Sequence, residues 1–371
     1  MKVLLSSHGA GPFGAERVLL ALAVGLRDRG HEVVVEIPHD GPALAAATQI
    51  EGVRVWHSRR PRLPRNVREG VRYLLGAIPA AVRLWRGMRR QAFDVVWVNS
   101  LFNPLAACAA RAAGRRVVWH LHERNFPGVL GVAMAMVIRA TADAPVVISR
   151  FVAGTYEAAG AGRTTLLLNA LLRDIEPEPL RSREGQFTVG YVGQLEPRKR
   201  VVDVLEAIRL VPGTRALIVG DGKGRPSVEA AIRRLGLADR VTMAGFAEDV
   251  ATHFREMDCV VLPARAEPFG LVALEAMAAG RPIIATRHGA HPEVLGDAAL
   301  YYSLGDANEL AAQIERLRAD PDLAESLRVR GLERVREFAP ERWFDGVEEI
   351  LATVVAGNGR AVALDPPRAI R

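Results

Sequence analysis

Glu267 and Glu275 stand eight positions apart in the stretch Arg265-Ala266-Glu267-Pro268-Phe269-Gly270-Leu271-Val272-Ala273-Leu274-Glu275-Ala276-Met277-Ala278-Ala279-Gly280-Arg281-Pro282. Upstream, the apolar run Cys259-Val260-Val261-Leu262-Pro263 predicts a strand, and Glu267 falls in the loop after it. Leu271, Leu274, Met277 and Ala278 then recur at three- and four-residue spacings and predict a helix over Leu271–Ala279. The first turn of such a helix leaves the amides of Phe269, Gly270 and Leu271 unpaired, and Gly270 has no side chain to block a ligand. That combination suits an anion, a phosphate above all. Eight helical steps would separate the two carboxylates by about 12 Å. This is too far to share a proton and suited to holding two ends of a nucleotide sugar, each glutamate accepting hydroxyl hydrogen bonds. The plain alternative is an ordinary strand–loop–helix unit with a solvated Glu267, since helix starts favour carboxylates anyway.

Three further groups of residues could do chemistry. Gly193-Gln194-Leu195-Glu196-Pro197-Arg198-Lys199-Arg200 lies between a predicted strand and the helix Val201–Leu210. It therefore sits at a strand's carboxyl end, where α/β sheets bind ligands. Clustered cations there would neutralise a departing diphosphate; Arg198 and Arg200 read equally well as solvated surface residues. In Val117-Val118-Trp119-His120-Leu121-His122-Glu123, the two histidines share one face at a strand end. Together with Glu123 they invite a metal, but a third ligand at useful spacing is missing, and Asp143 or His8 joins only by assumption. Asp320-Pro321-Asp322 has an Asp-x-Asp form, yet reads better as a helix N-cap followed by proline at the first helical position. No metal is therefore expected. Finally, Gly9, Gly11 and Gly14 fit Gly-x-Gly-x-x-Gly, with Pro12 stiffening the loop and Glu36 available at the end of the second strand. This loop alone leaves an NAD(P)-dependent oxidoreductase open.

The segment from Glu267 to Pro282 closely resembles the signature of glycosyltransferase family 4, retaining, nucleotide-sugar-dependent enzymes of the GT-B fold. The resemblance continues in register through Gly190-Tyr191-Val192-Gly193, Val219-Gly220-Asp221-Gly222 and Arg240-Val241-Thr242-Met243-Ala244-Gly245-Phe246. It is strong over roughly residues 185–300 and looser in the N-terminal half. It implies two Rossmann-like α/β domains with parallel sheets facing across a cleft, and a nucleoside-diphosphate sugar as donor substrate without a further cofactor. It also implies that Glu275 accepts the ribose hydroxyls and that the amides around Phe269, Gly270 and Leu271 hold phosphate. Glu267 would contact the sugar, and the base would sit near Gly245-Phe246. Lys199 matches the family's lysine and, with Arg198, would stabilise the diphosphate. Gln194 stands at the usual arginine and Arg200 at the usual glycine. Gly14-Ala15-Glu16-Arg17 resembles the family's Gly-Gly-Ala-Glu-Arg, with Phe13 at the first glycine, and places Gly14 near the donor phosphate. His122 matches the strand-end histidine of the reaction centre, where a neutral imidazole positions the acceptor hydroxyl or stabilises charge on the sugar. Retention by front-face attack follows, with the leaving phosphate taking the acceptor proton and domain closure bringing the acceptor in. Gln194 and Phe13 keep open a catalytically silent relative. A GT-B epimerase shares the fold, and a phosphorylase would need a cofactor lysine that is not identifiable.

These residues need a scaffold, and the pattern supplies one. Alternating strands and helices predict parallel sheets. Strands are expected at Lys2–Ser6, Glu32–Ile37, Val53–His57, Val95–Asn99, Arg116–Leu121 and Val146–Ile148, with a helix at Glu16–Arg29. A second series is expected at Thr188–Val192, Ala216–Val219, Val241–Met243, Cys259–Leu262 and Pro282–Thr286. Its helices are Val201–Leu210, Pro226–Leu235, Asp249–Met257, Leu271–Ala279 and Pro321–Arg330. The length of 371 residues fits two domains: an acceptor-side domain over 1–170, a linker over 171–187, and a nucleotide-sugar domain over 188–340. A helix over 341–356 is expected to cross back to the first domain, and a disordered tail to occupy 357–371.

Charge is uneven. Residues 1–170 hold 22 Lys and Arg against 11 Asp and Glu, and residues 171–371 hold 27 against 31. Between Arg54 and Arg90, 11 arginines face one acid, Glu69, interleaved with Val71, Leu74, Leu75, Ile78, Val82, Leu84 and Trp85. Such a segment suits an anionic membrane surface; a solvated helix with arginine stems over apolar surface is the alternative, and nucleic acid fits less well. Pro79 argues against one unbroken helix there. The acceptor implied is a hydroxyl on a lipid-linked, glycan or other acidic molecule. Only Cys108 and Cys259 occur, the opening residues form no signal peptide, and the run Phe126–Ile138 is too short to span a bilayer. A cytoplasmic enzyme, peripheral at the inner face of the membrane, is the expectation.

Overall fold

The computed structural model describes residues 1–11, 14–61, 67–180 and 185–357. The chain divides into two compact units: Met1–Leu172 with the helix Pro340–Val355, and Arg173–Ala339. Each is built on one parallel sheet, as alternating apolar strands and helices dictate.

Unit 1 has seven strands: β1 (Lys2–Ser6), β2 (Glu32–Ile37), β3 (Arg54–His57), β4 (Val95–Asn99), β5 (Arg116–Leu121), β6 (Ala144–Val147) and β7 (Thr165–Leu166). They lie in the order β3-β2-β1-β4-β5-β6-β7. Val3, Leu4, Val96, Val98, Val117 and Val118 are fully buried, because helices cover both faces. The order reverses between β1 and β4, so the loops after these strands open a crevice at the carboxyl edge. The helix Pro340–Val355 packs on β4, β5 and the helix Gly14–Asp28, burying Trp343, Val347, Ile350 and Leu351.

Unit 2 has six strands, β8 (Phe187–Val192), β9 (Thr214–Val219), β10 (Val241–Gly245), β11 (Cys259–Leu262), β12 (Ile283–Thr286) and β13 (Ala299–Tyr302), in the order β10-β9-β8-β11-β12-β13. Its core joins Tyr191, Leu205, Ile208, Ile218, Val261 and Ile314. Here the reversal lies between β8 and β11. It therefore brings the loop after Val192 beside the loop after Leu262.

Several elements differ from expectation. The helix Val67–Gln91 runs unbroken across Pro79. Pro79 and Leu75 are exposed, so the Leu75 carbonyl that the proline cannot bond lies on the solvent side of the helix. The helix expected over Asp249–Met257 is only Ala251–Phe254, because Asp249 bonds the Ala251 amide and Met257 turns into the core. The short strands β7 and β13 and the helix Ala307–Ala319 are additional. Asp306 caps that helix, accepting from the Asn308 and Glu309 amides. Asp320 caps Pro321–Val335 through the Leu323 amide. Of the two cysteines, Cys108 is exposed and Cys259 buried. Phe13, residues 181–184 of the linker and residues 358–371 of the tail lie outside the described residues. No helix of the described residues is long and apolar enough to cross a membrane.

Candidate functional site

In unit 2 the strand-order reversal brings Lys199 to Glu267. The first ends a short 3-10 turn, Pro197–Lys199, after β8; the second lies in the loop after β11. Lys199 Nζ donates to Glu267 Oε2 at 2.5 Å, and Arg198 Nη1 stands 4.0 Å from the same oxygen. Glu267 is buried. Burial alone would raise its pKa, but the neighbouring Lys199 charge and hydrogen bond, with His291 and Arg198, hold it below the usual carboxylate value. The carboxylate is therefore ionised at neutral pH.

A third loop, after β12, closes this site from behind. Ala290 donates to the Glu267 carbonyl at 2.9 Å, and the Ala266 amide donates to His288 Nδ1 at 3.1 Å. Gly289 makes the approach feasible: at φ +69, a Cβ there would lie 2.6 Å from both the nitrogen and the oxygen of Glu267. Thr286 Oγ1 donates to the Ala264 carbonyl, which leaves it to accept from His291 Nδ1 at 3.1 Å. Burial lowers the His291 pKa to about 4. This imidazole is thus neutral, with its lone pair on Nε2.

Gly270, at φ 93, is the N-cap of the helix Leu271–Ala278. Among the described residues the amides of Gly270 and Leu271 have no acceptor, which is the arrangement an anion requires. Glu267 stands outside that helix, so the eight steps to Glu275 are not all helical; the left-handed turn at Gly270 redirects the chain. Phe269 offers only its backbone, since its ring is buried 6.0 Å from that of Phe338. Glu275, on the helix, is buried with Arg173 Nε 3.7 Å away. Phe246 is exposed at the end of β10 beside Gly245, an open aromatic face on which a base can stack.

Arg200 does not serve as a stand-in for the charge missing at Gln194. Its guanidinium grips Asp203 at 2.7 and 2.8 Å, and its φ of 52 is the left-handed conformation that suits glycine. Arg198 and Lys199 are the cations that reach Glu267.

In unit 1, His122 follows β5 and is buried. Its Nε2 lies 2.8 Å from Asn99 Oδ1, while Asn99 Nδ2 donates to the Ala15 carbonyl. The amide is thereby oriented, so His122 Nε2 carries the proton and Nδ1 the lone pair. Burial, with His120 and His8 adjacent, pushes the His122 pKa well below its usual value. His120 packs beneath it at 4.1 Å between ring centroids and edge-on to Trp97, both nitrogens without partners among the described residues. Glu123 and Asp143, considered with them as metal ligands, are committed elsewhere. Glu123 accepts from Ser100 Oγ at 2.7 Å and the Leu101 amide at 2.9 Å, and Asp143 accepts from the Val117 amide at the opposite end of β5.

Gly14 opens the helix Gly14–Asp28, and Glu16 lies in its first turn. Sequence reasoning gave Glu16 no task, yet it is buried 3.6 Å from His8 Nε2, and burial raises its pKa to about 7. Its position two residues past the last glycine of the loop was the available signal. Glu36, which a dinucleotide reading needs for ribose, is fully buried and bonded to Ser6, Ser58 and Arg60. Both its oxygens are engaged within the sheet edge, and neither is exposed to a cofactor. His288, Gly289 and His291 were also missed; only the pairing of β12 with β11 brings them to Glu267.

Comparisons with known proteins follow the two units. Residues 173–334 match the family model described as glycosyl transferases group 1, and residues 13–170 that of glycosyltransferase family 4. The chain is 31% identical over 195 residues to D-inositol 3-phosphate glycosyltransferase of Segniliparus rotundus, covering 49% of this chain and 42% of that one. It is 32% identical over 197 residues to the lipopolysaccharide core biosynthesis glycosyltransferase LpsE of Rhizobium meliloti, covering 52% and 56%. The chain thus spans about half the length of the curated relatives it matches. Among solved structures, Anabaena HepE in complex with UDP and glucose superposes with a TM-score of 0.82 at 23% identity, over 95% of this chain and all of that one. That likeness is one of fold.

Proposed function

Because the chain belongs to glycosyltransferase family 4, with the group 1 domain in its second half, we propose that it transfers a sugar from a nucleoside-diphosphate sugar to an acceptor hydroxyl with retention of configuration. The Lys199–Glu267 pair carries this reading. A lysine held by an ionised glutamate beside free helix amides is a phosphate site whose counter-ion is supplied by the protein until the substrate arrives. On donor binding, the diphosphate takes over Lys199, with Arg198 and the amides of Gly270 and Leu271. Glu267 is then released to accept hydroxyls of the sugar. Glu275 takes the ribose hydroxyls, and Phe246 stacks on the base.

In the reaction the bond between the anomeric carbon and the diphosphate oxygen breaks, and the acceptor oxygen bonds to the same face of that carbon. The acceptor proton passes to the leaving phosphate. Charge growing on the diphosphate is met by Lys199 and Arg198, so the step is metal-independent. His122 on unit 1, neutral and with its Nδ1 lone pair fixed by Asn99, orients the acceptor hydroxyl.

Thermal unfolding against UDP-, GDP- and ADP-sugars and NAD(P)H, with EDTA present, tests the reading. A ligand that binds the folded state raises the melting temperature. One nucleotide sugar should do so, and Glu275→Ala should abolish the shift. A response to NAD(P)H alone would overturn the assignment. Donor binding without transfer to any acceptor would mark a silent relative, which Gln194 in place of a cation favours.

A further inference from the structure

The helix Gly128–Thr141 is inverted relative to an ordinary surface helix. Its packing face carries small residues, Gly131 and Ala135, with Ile138, and Gly131 lies against the Phe126 carbonyl with no room for a Cβ. Its solvent face carries the larger apolar side chains: Val129 is 87% exposed, Met136 64%, Leu130 57% and Val132 48%. Val129, Val132, Ala133, Met136 and Ala140 recur at three- and four-residue spacings and form one stripe. The helix contains no acid, and its single charge, Arg139, is in the last turn. A stripe of this kind marks a surface that meets something apolar.

The neighbouring layer says what that is. The helix Pro104–Ala112 packs against both Gly128–Thr141 and Val67–Gln91. On the latter, Leu75 is 72% exposed, Ile78 71% and Val82 37%. The same outward stripe continues, at the same spacing, into Arg86 and Arg89, flanked by Arg83 and Arg90. All four arginines are exposed, and none pairs with a carboxylate among the residues whose side chains are described. Leu84 and Met88, by contrast, face inward. An outer face that is apolar over one length and purely cationic over the next matches acyl chains beneath anionic headgroups. It does not match a protein partner, which would have to supply acids for every arginine.

We propose that the outer faces of the helices Val67–Gln91 and Gly128–Thr141 form a docking surface for an anionic lipid bilayer. The loop from His122 to Phe126 leads directly into the second of these helices, so docking sets the His122 edge of unit 1 close to the lipid. An acceptor hydroxyl carried on a lipid would be met there.

Co-sedimentation with phosphatidylcholine vesicles, with and without phosphatidylglycerol, tests this independently of sugar transfer. The protein should bind the anionic vesicles at least about tenfold more tightly than the neutral ones, and less so in high salt. Val129→Asp with Met136→Asp, and separately Arg86→Glu with Arg90→Glu, should each weaken binding by about tenfold or more. These positions are exposed, and far-ultraviolet circular dichroism should be unchanged. No binding to either vesicle would overturn the proposal. So would binding indifferent to the Val129 and Met136 substitutions. Sedimentation velocity supplies the remaining arm: a dimer that those two substitutions convert to monomer would assign the stripe to a second copy of the chain and overturn the proposal.

Discussion

Lys199 and Glu267 are 68 residues apart in sequence and 2.5 Å apart in space. Each belongs to a loop at one side of the point where the strand order of the second sheet reverses. The pair is partly shielded from water, so its two members depend on each other more than a surface pair would.

Lys199→Met should leave Glu267 with less compensation and cost about 2–3 kcal/mol of stability. The double variant with Glu267→Gln should cost less than the sum of the single losses. Urea unfolding of the four proteins measures the coupling, and additive losses would show that the pair is not coupled. Transfer by Lys199→Met should fall about 10²–10³-fold in kcat.

Asn99→Ala should free the His122 ring and lower kcat by about a hundredfold while the donor KM stays near its normal value. Asn99→Asp keeps an acceptor for His122 Nε2 and adds a negative charge. It should recover part of the rate and move the acid limb of the pH–rate profile upward. Equal loss in both variants, with no change in the profile, would reduce Asn99 to a packing residue.

Glu16 makes stability depend on pH. Its folded pKa of about 7 lies above the ordinary glutamate value, so the folded state holds the proton more tightly. Its contribution is complete below that ordinary value and is lost as pH rises towards 7. Glu16→Gln should therefore be more stable than the parent by about 2–3 kcal/mol above pH 7, and the difference should vanish near pH 4. His8, in contact with Glu16, works in the opposite sense because burial lowers its pKa to about 4, and the same comparison in a His8→Asn background separates the two.

Gly289→Ala should cost about 2 kcal/mol or more, because the position is left-handed and a Cβ meets the Glu267 backbone. Donor affinity should fall with it, since Glu267 is displaced. A variant of unchanged stability and affinity would show that the loop after β12 yields without moving Glu267.

Sequence periodicity carried much of this architecture. The apolar runs at β1, β2, β4, β5 and β11 are long and continuous, as strands buried on both faces must be. Motif residues at strand ends also lay where expected, because ligand loops follow parallel strands. What periodicity could not carry was adjacency. Nothing local says that the loop after β8 meets the loop after β11, or that His291 stands behind Glu267; strand order decides both. Two-residue β7 has no period to detect. The helix across Pro79 persisted because its outer carbonyls reach water. Arg200 stood open between a phosphate cation and a solvated residue, because its backbone angle and its grip on Asp203 are invisible in composition.

The helix Pro340–Val355 belongs to the first unit although the whole second unit separates it from the rest, and His31 meets Glu348 across 317 positions. Phe344 lies directly over Gly25. On the ribosome, the second unit is therefore made, and has its own core available, before the first can cover the face of β4 and β5. Of these two units, the one begun earlier is completed later, and its face over β4 and β5 stays open until the helix Pro340–Val355 arrives.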